Sequence, residues 1–252
     1  MYNQHKNYEI LNLIGYGLAK FDNFAQVFGF DSKNSFYNYC VSIKIAETSG
    51  VVKNRQDLFD HFFDNGRKGW WQKGDVYIHR KIKIDALFGN ENVENYINII
   101  KLYLQSNFDT KNITANTSPI VKSRFKQMQE TGLEAELYFM NNFKTISEFR
   151  NGKIEDARLC GDGYDFQISV DNTYFLAEVK GIRQVRGKFR ITNNEYLKAK
   201  EYKEKYILSV ILNLDDIPVI KTFSNPLKML DFKKVERQAK LQTEYHLISE
   251  VC

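Results

Sequence analysis

The stretch Gly161–Gly181, GDGYDFQISVDNTYFLAEVKG, decides the fold of this 252-residue chain. Two runs of alternating apolar and polar residues flank Asp171 and Asn172, a pair that is typical of a tight turn. The alternation predicts a β-hairpin, and its apolar face is formed by Phe166, Ile168, Val170, Phe175, Ala177 and Val179. Because the flanking positions are also apolar, we expect the hairpin to lie centrally in a sheet rather than at its edge.

The opposite face of this hairpin carries the charged residues. Asp165 on the first strand and Glu178 and Lys180 on the second lie at similar distances from the turn, so antiparallel pairing brings them to the same end. Two carboxylates can hold a hard divalent cation, and a lysine beside them can handle a water molecule or a phosphate. The alternative is a solvated sheet face on which Glu178 and Lys180 only pair with each other. Asp162 competes with Asp165, which is favoured because Asp162 lies in the glycine-flanked segment before the strand.

Three short motifs follow one another in the carboxy-terminal half: Gly163-Tyr164-Asp165, Glu178-Val179-Lys180-Gly181 and Thr192-Asn193-Asn194-Glu195. Their order and spacing resemble the PD-(D/E)XK nuclease superfamily, in particular its branch with GYD, EVKG and TxNE motifs, over residues 120–252. Tyr164 stands where that superfamily usually has a proline. Members of the branch often occur in restriction and defence proteins. The resemblance implies a restriction-endonuclease-like α/β core with a mixed sheet.

The resemblance also implies a role for each site residue in phosphodiester hydrolysis. Asp165 and Glu178 would bind Mg²⁺, for which Mn²⁺ can substitute, and the Val179 carbonyl would be a further ligand. Lys180 would position the attacking water or offset charge in the transition state. In this family the helix before the hairpin contributes a glutamate, and Glu136 matches that position. Glu134 remains the alternative, and either could be only an exposed helix carboxylate.

Hydrophobic periodicity and capping signals predict the other elements of the carboxy-terminal domain, residues 120–252. They are helices over residues 121–143, 193–206 and 231–239, and strands over residues 207–212, 218–223 and 244–248. The helix that follows the hairpin begins with a capping box, in which Thr192 is the N-cap and Glu195 the third helical residue. The order of helix, hairpin, helix and strand is typical of an α/β core with a mixed sheet.

The amino-terminal part, residues 1–115, is predicted to be a smaller and mostly helical domain joined by a linker at residues 111–119. Periodicity predicts helices over residues 35–46, 53–63 and 94–104. The segment GRKGWWQKGDVYIHRKIKI reads as two strands joined at Lys73 and Gly74. Two helices followed by such a wing would form a winged helix, an arrangement that reads DNA.

Basic residues crowd two segments, one around the tryptophan pair and one directly after the hairpin. Cations contact phosphates, and aromatic rings can pack on sugars or bases. The candidate DNA-binding residues are Arg67, Lys68, Trp70, Lys73, Arg80, Lys81, Arg183, Arg186, Lys188 and Arg190. The alternatives are an exposed charged loop after the hairpin and tryptophans that belong to the core of a small domain.

Composition sets limits on function. The net charge of +5 and the pI of about 8.9 permit nucleic-acid binding without demanding it. Three widely spaced cysteines form no zinc pattern, and the scattered histidines argue against a histidine metal site. The start MYNQHKNYEI is not a signal peptide and no apolar run has membrane length, so we expect a cytoplasmic protein that does not enter the membrane.

Together these features predict a two-domain, Mg²⁺-dependent DNA endonuclease, in first place a type II restriction endonuclease that cuts a specific double-stranded sequence. Family analogy adds a homodimer, because both strands must be cut. Two alternatives stay open. One is a nuclease of repair or of modified DNA, and the other is a non-catalytic DNA-binding regulator that keeps the nuclease fold as a scaffold.

Overall fold

A computed structural model describes residues 7–108, 110, 115, 117–128 and 131–235 of the chain. Its amino-terminal part is helical. The helices are α1 (Tyr8–Lys20), α2 (Phe24–Phe28), α3 (Lys33–Ser42), α4 (Ser49–Asp60), α5 (Ile78–Phe88), α6 (Val93–Asn107) and α7 (Pro119–Met128). The predicted helices over residues 35–46, 53–63 and 94–104 are confirmed by α3, α4 and α6.

Helix α1 is the centre of this helical core. Its residues from Tyr8 to Ala19, with the exception of Glu9, are buried on all sides by the surrounding helices. Tyr16 stacks on Tyr96 at a ring distance of 5.4 Å and donates a hydrogen bond of 2.6 Å to Asp85 of α5. A Cβ atom at Gly15 would lie 2.5 Å from a backbone oxygen of α4, so only glycine permits this close helix contact.

The prediction of a two-stranded wing was wrong. Residues Trp71–Tyr77 form a 3₁₀ helix, and α5 follows directly. The sequence VYIHRKIKI alternates like a strand, but its buried positions His79, Arg80, Lys83 and Ile84 recur at helical spacing. This spacing continues to Leu87 and Phe88, which pack into the helical core, so tertiary burial selects the helix.

The carboxy-terminal part is a five-stranded mixed sheet with helices. The elements are α8 (Thr131–Asn142), β1 (Lys153–Asp156), β2 (Phe166–Val170), β3 (Thr173–Gly181), α9 (Asn193–Tyr202), β4 (Tyr206–Leu212), β5 (Val219–Ser224) and α10 (Pro226–Met229). The strand order is β1-β2-β3-β4-β5. Strands β3 and β4 are parallel and the other neighbours are antiparallel, as expected when α9 makes the crossover between β3 and β4.

The predicted hairpin is confirmed as β2 and β3 at the middle of the sheet. Phe166 lies opposite Ala177, which fixes the alternation of the two faces. One face packs against α8, where Phe139 stacks on Phe166 at 5.3 Å, and the other face packs against α9 through Leu176 and Ala199. Both faces of the central strands are therefore covered, which makes this part an α/β unit.

Helices α7 and α8 pack into different hydrophobic cores. Helix α7 packs into the helical core through Val121, Phe125 and Met128, whereas Ala135 and Phe139 of α8 pack against the sheet. Of the helix predicted over residues 121–143, the described parts up to Met128 and from Thr131 to Asn142 are helical, and they have different partners. Of the predicted helix over residues 231–239, the described residues 231–235 are not helical. The remainder of that helix and the predicted strand over residues 244–248 lie outside the described residues.

Over the part of the chain that the structure describes, no helix is long and apolar enough to cross a membrane.

Candidate active site

The hairpin brings Asp165 and the end of β3 together. The backbone N–H of Asp165 donates to the Ala177 carbonyl at 3.0 Å, and the Val179 N–H donates to the Asp165 carboxylate at 2.8 Å. The N–H and C=O of one strand residue point to the same side. The Val179 carbonyl therefore lies on the Asp165 side of β3, just beyond the end of the β2 pairing, which begins at Phe166.

Lys180 joins two glutamates at this end of the hairpin. Its Nζ lies 2.5 Å from Glu178 Oε1 and 3.0 Å from Glu195 Oε2. Glu195 also accepts the N–H of Thr192 at 2.9 Å, because both belong to the predicted capping box at the start of α9. Glu195 was predicted from the sequence only as part of the capping box, and its ion pair with Lys180 brings it to the hairpin end as well.

Glu136 and Glu134 lie in different surroundings. Glu136 pairs with Arg158 at 2.8 Å and is close enough to Asp165 to affect its pKa. Glu134 faces the other way and is buried against the helical core, where it accepts hydrogen bonds from Tyr8 and Lys83. Of the two glutamates, Glu136 is therefore the one beside the hairpin end. Arg158, which sequence analysis did not select, holds it there.

Burial and mutual repulsion disfavour the charged forms of both acids of the hairpin. Burial raises the pKa of Asp165 to about 6, and the charge of Glu136 adds to this shift. Burial also raises the pKa of Glu178 to about 8, with the charge of Asp165 as the second cause. Burial alone would lower the pKa of Lys180, but Glu178 and Glu195 outweigh it and raise that pKa. The hairpin end therefore binds protons more tightly than two isolated carboxylates would.

Tyr206 of β4 forms part of the wall of this site. Its hydroxyl donates to the Gly163 carbonyl at 3.0 Å, which ties the GYD segment to the neighbouring strand. Burial raises the pKa of Tyr206 strongly, and the charges of Glu178 and Glu195 contribute, so the phenol stays protonated at neutral pH.

A second group of charges, which we call the buried charge cluster, connects the two parts of the chain. It consists of Glu9, Lys83, Glu134, Arg183 and Asp215. The Lys83 ammonium lies 3.0 Å from Glu134, and Arg183 lies 3.4 Å from the same carboxylate. Burial would raise the pKa of Glu134, but Lys83, Arg183 and His79 outweigh it and lower that pKa. The cluster therefore keeps Glu134 ionised in the interior.

The candidate DNA-binding residues fall into two groups. Five of them are exposed to solvent: Lys68, Lys73, Arg186, Lys188 and Arg190. The last three form what we call the basic loop, directly after the hairpin. The other five are engaged within the protein. Arg67 pairs with Asp60, Lys81 with Asp85 and Arg183 with the buried charge cluster, while Arg80 is 5% exposed and Trp70 is partly buried.

The donors at the hairpin end suit Mg²⁺ or Mn²⁺ in kind. Two carboxylates and a main-chain carbonyl are hard oxygen ligands, and a divalent cation would relieve the repulsion between Asp165 and Glu178. Within the described residues, no group of three or more histidine, cysteine, aspartate or glutamate side chains is arranged to hold a metal ion. Water and the Val179 carbonyl would have to complete the coordination.

Comparison with family models gives a match for part of the chain. Residues 135–223 match the model of a family described as "Protein NO VEIN, C-terminal", which is a nuclease-like domain family. The matched segment runs from α8 to β5 and so contains all the residues of the candidate site. No curated protein and no solved structure matches the chain.

Proposed function

We propose that this chain is a divalent-metal-dependent endonuclease that hydrolyses phosphodiester bonds of DNA. The observation that carries the proposal is the half-buried carboxylate of Asp165 and the buried carboxylate of Glu178, beside the ammonium group of Lys180. A folded protein seldom places two acids together with so little solvent without a use for them, because burying charge is costly. The match of residues 135–223 to a nuclease-like family supports the same proposed function.

Each residue would have a distinct part in the reaction. Asp165, Glu178 and the Val179 carbonyl would hold Mg²⁺ or Mn²⁺. When bound, such an ion stabilises negative charge on the phosphodiester and lowers the pKa of a coordinated water. Lys180 would donate a hydrogen bond to the attacking water or to a phosphate oxygen, and Glu136 would orient water on the opposite side of Asp165.

The exposed cations indicate how DNA would be held. The basic loop follows the hairpin directly, so its three cations would contact phosphates beside the scissile bond. Lys68 and Lys73 would extend this contact onto the helical part. In its most specific form, the proposal is a type II restriction endonuclease that cuts a specific double-stranded sequence as a homodimer. A nuclease of repair or of modified DNA is the alternative with the same chemistry.

Digestion of unmethylated phage DNA with purified protein and Mg²⁺ tests this function. The matched controls are Lys180→Ala, addition of EDTA, and Lys200→Ala, which removes an exposed lysine of α9. We expect discrete fragments from the wild type and from Lys200→Ala, and none in the other two reactions. A smear would leave a nuclease but refute sequence-specific restriction. Cleavage only of methylated or single-stranded substrates would favour the alternative nuclease.

One observation favours a non-catalytic regulator as a second candidate. Lys180 already forms ion pairs with Glu178 and Glu195, and among the described side chains no three-ligand metal group is present. For a regulator, DNA binding would be insensitive to Mg²⁺ and to Glu178→Ala, and no DNA substrate would be cut. If Mg²⁺ strengthened DNA binding by the wild type but not by Glu178→Ala, this candidate would be excluded.

A further inference from the structure

A cavity of about 600 Å³ lies between the helical core and the sheet, away from the candidate active site. Its helical wall comprises residues of α1, α4 and α5, together with Trp70 and Tyr77 at the two ends of the 3₁₀ helix. Its other wall comprises Gln184 and Val185 after the hairpin and the connection between β4 and β5. This volume is in the range of small-molecule and cofactor sites. Sequence analysis selected Trp70 and Arg80 as DNA contacts, and both line this cavity instead of a wing.

Two arginines, Arg55 and Arg80, line the cavity. Arg80 is 5% exposed; it donates to the Asp215 carbonyl at 2.8 Å, and its Nε has no hydrogen-bond partner. Arg55 donates to the Asn12 side chain at 2.9 Å. Neither guanidinium lies within 4.0 Å of a carboxylate in the described part of the chain. Burial and the charge of Arg80 lower the pKa of Arg55 to about 10, and the charge of Asp215 opposes this shift.

Two aspartates also line the cavity wall, and the charge of Asp215 acts on Arg55. The Asp215 carboxylate accepts a hydrogen bond of 3.1 Å from Arg183, on the side of the buried charge cluster. Asp216 is exposed at the rim, 3.5 Å from the Tyr77 hydroxyl. An anion beside the Arg80 Nε would meet both arginines, and arginine binds phosphate oxygens through paired N–H groups.

Flat aromatic surfaces line the same space. The Arg80 guanidinium lies 4.5 Å from the Tyr77 ring centre, and the Trp70 ring centre lies 6.2 Å from that of Tyr77. Such surfaces stack well on a nucleobase. The side-chain amides of Asn54 and Gln184 also line the cavity and can both donate and accept hydrogen bonds at a base edge.

We propose that this cavity binds a nucleotide, with the phosphate at Arg55 and Arg80 and the base against Trp70 and Tyr77. The nucleotide is either free or an unpaired nucleotide of a DNA strand, since both present the same phosphate and base. The proposal does not depend on nuclease activity, because none of the cavity residues belongs to the hairpin site. It assigns the helical part a recognition role through a pocket rather than through a winged helix.

Binding by the full chain in EDTA tests the proposal without any cleavage. The probes are deoxyadenosine monophosphate, deoxyadenosine, inorganic phosphate, a fully paired duplex, and the same duplex with one unpaired adenine. Calorimetry measures affinity, and tryptophan fluorescence follows the site, because Trp70 is one of only two tryptophans in the chain. If the ligand is a free nucleotide, we expect deoxyadenosine monophosphate to bind at least about tenfold more tightly than deoxyadenosine or inorganic phosphate. If it is a nucleotide of a DNA strand, we expect the duplex with one unpaired adenine to bind at least about tenfold more tightly than the fully paired duplex.

The decisive variants are Val51→Glu and Val51→Gln. Val51 lines the cavity and is 36% exposed, so both substitutions should leave the fold intact. The glutamate should weaken binding at least about tenfold by repelling the phosphate, whereas the glutamine should change it little. Arg80→Gln should also weaken binding, with its fold checked by circular dichroism. Arg150→Gln, an exposed arginine outside the cavity lining, should bind like the wild type.

The outcomes separate the two sources. If the monophosphate binds and Val51→Glu weakens this binding, the ligand is a free nucleotide. If only the duplex with the unpaired adenine binds and Val51→Glu weakens this binding, the ligand is a nucleotide of a DNA strand. The proposal is overturned if no probe binds, if phosphate or nucleoside alone binds as tightly, or if the glutamate and glutamine variants are equal. Failure of DNA cleavage in the presence of Mg²⁺ would refute the proposed function and leave this result unaffected.

Discussion

Replacing Glu178 by glutamine should stabilise the metal-free protein at alkaline pH, although the same change removes a metal ligand. Glu178 is 3% exposed, and burial together with the charge of Asp165 raises the pKa of its carboxyl to about 8. A glutamine has the size of the protonated acid and does not ionise. The substitution therefore removes a charge that the folded state accommodates poorly.

The sign and the size of the effect follow from the two pKa values. The ordinary pKa of this carboxyl is 4.5, so its contribution to folding is fully present below pH 4.5 and is lost as the pH rises to about 8. The difference of about 3.5 units, at about 1.4 kcal/mol per unit, sets a ceiling of about 5 kcal/mol. Relaxation around the ionised pair reduces this gain, and we expect about 2 kcal/mol at pH 8.5.

Thermal unfolding followed by circular dichroism in EDTA measures the gain. About 2 kcal/mol corresponds to about 4–8 °C in Tm for a chain of this size. Most of the difference should vanish at pH 5, and Glu155→Gln, an exposed glutamate on β1, should show no such dependence. Mg²⁺ should raise the Tm of the wild type but not of Glu178→Gln. The prediction would be refuted if Glu178→Gln were no more stable than the wild type at pH 8.5, or if its gain in Tm at pH 5 were as large as at pH 8.5.

Three further results are expected. Mg²⁺ affinity should increase between about pH 6 and pH 8, because Asp165 and Glu178 must release protons to bind the ion. Calorimetry in two buffers with different ionisation enthalpies counts the released protons. An Mg²⁺ affinity that does not change with pH would contradict the assignment of these two ligands. Lys83→Met should lower the free energy of unfolding by about 3 kcal/mol at pH 7, measured with urea, because the buried charge of Glu134 loses its nearest cation. A decrease of less than about 1 kcal/mol would argue that the buried charge cluster contributes little to stability. Glutamine at all three cations of the basic loop should weaken DNA binding and lower the salt slope by about 3, measured by fluorescence anisotropy, and an unchanged slope would remove the loop from the DNA interface.

The sequence was most informative where a pattern had only one structural solution. The alternation on both sides of Asp171 and Asn172 fits a hairpin and no helix, and its register brings Asp165 beside Glu178. The capping box at Thr192 is also a local signal, and it is present in the structure. Local rules therefore predicted the centre of the sheet and the residues that meet at its end.

Prediction failed where the answer depends on residues far apart in the chain. The alternation in VYIHRKIKI fits a strand or a helix, and only packing against α1 and α8 selects the helix. The partner of Glu134 is Lys83, 51 residues away, so nothing near Glu134 indicates that it is buried. For the same reason Arg80 and Arg183 read as surface cations, although their guanidinium groups are used inside the protein.

The buried charge cluster makes the two halves of this chain poor candidates for exchange. Glu134 lies deep in one half and depends on a lysine supplied by the other. A fragment that begins after α7 would leave that acid without Lys83, and a chimaera with a foreign helical half would do the same. Substitutions along solvent-facing loops would leave this cluster intact, whereas exchange of a whole half would not.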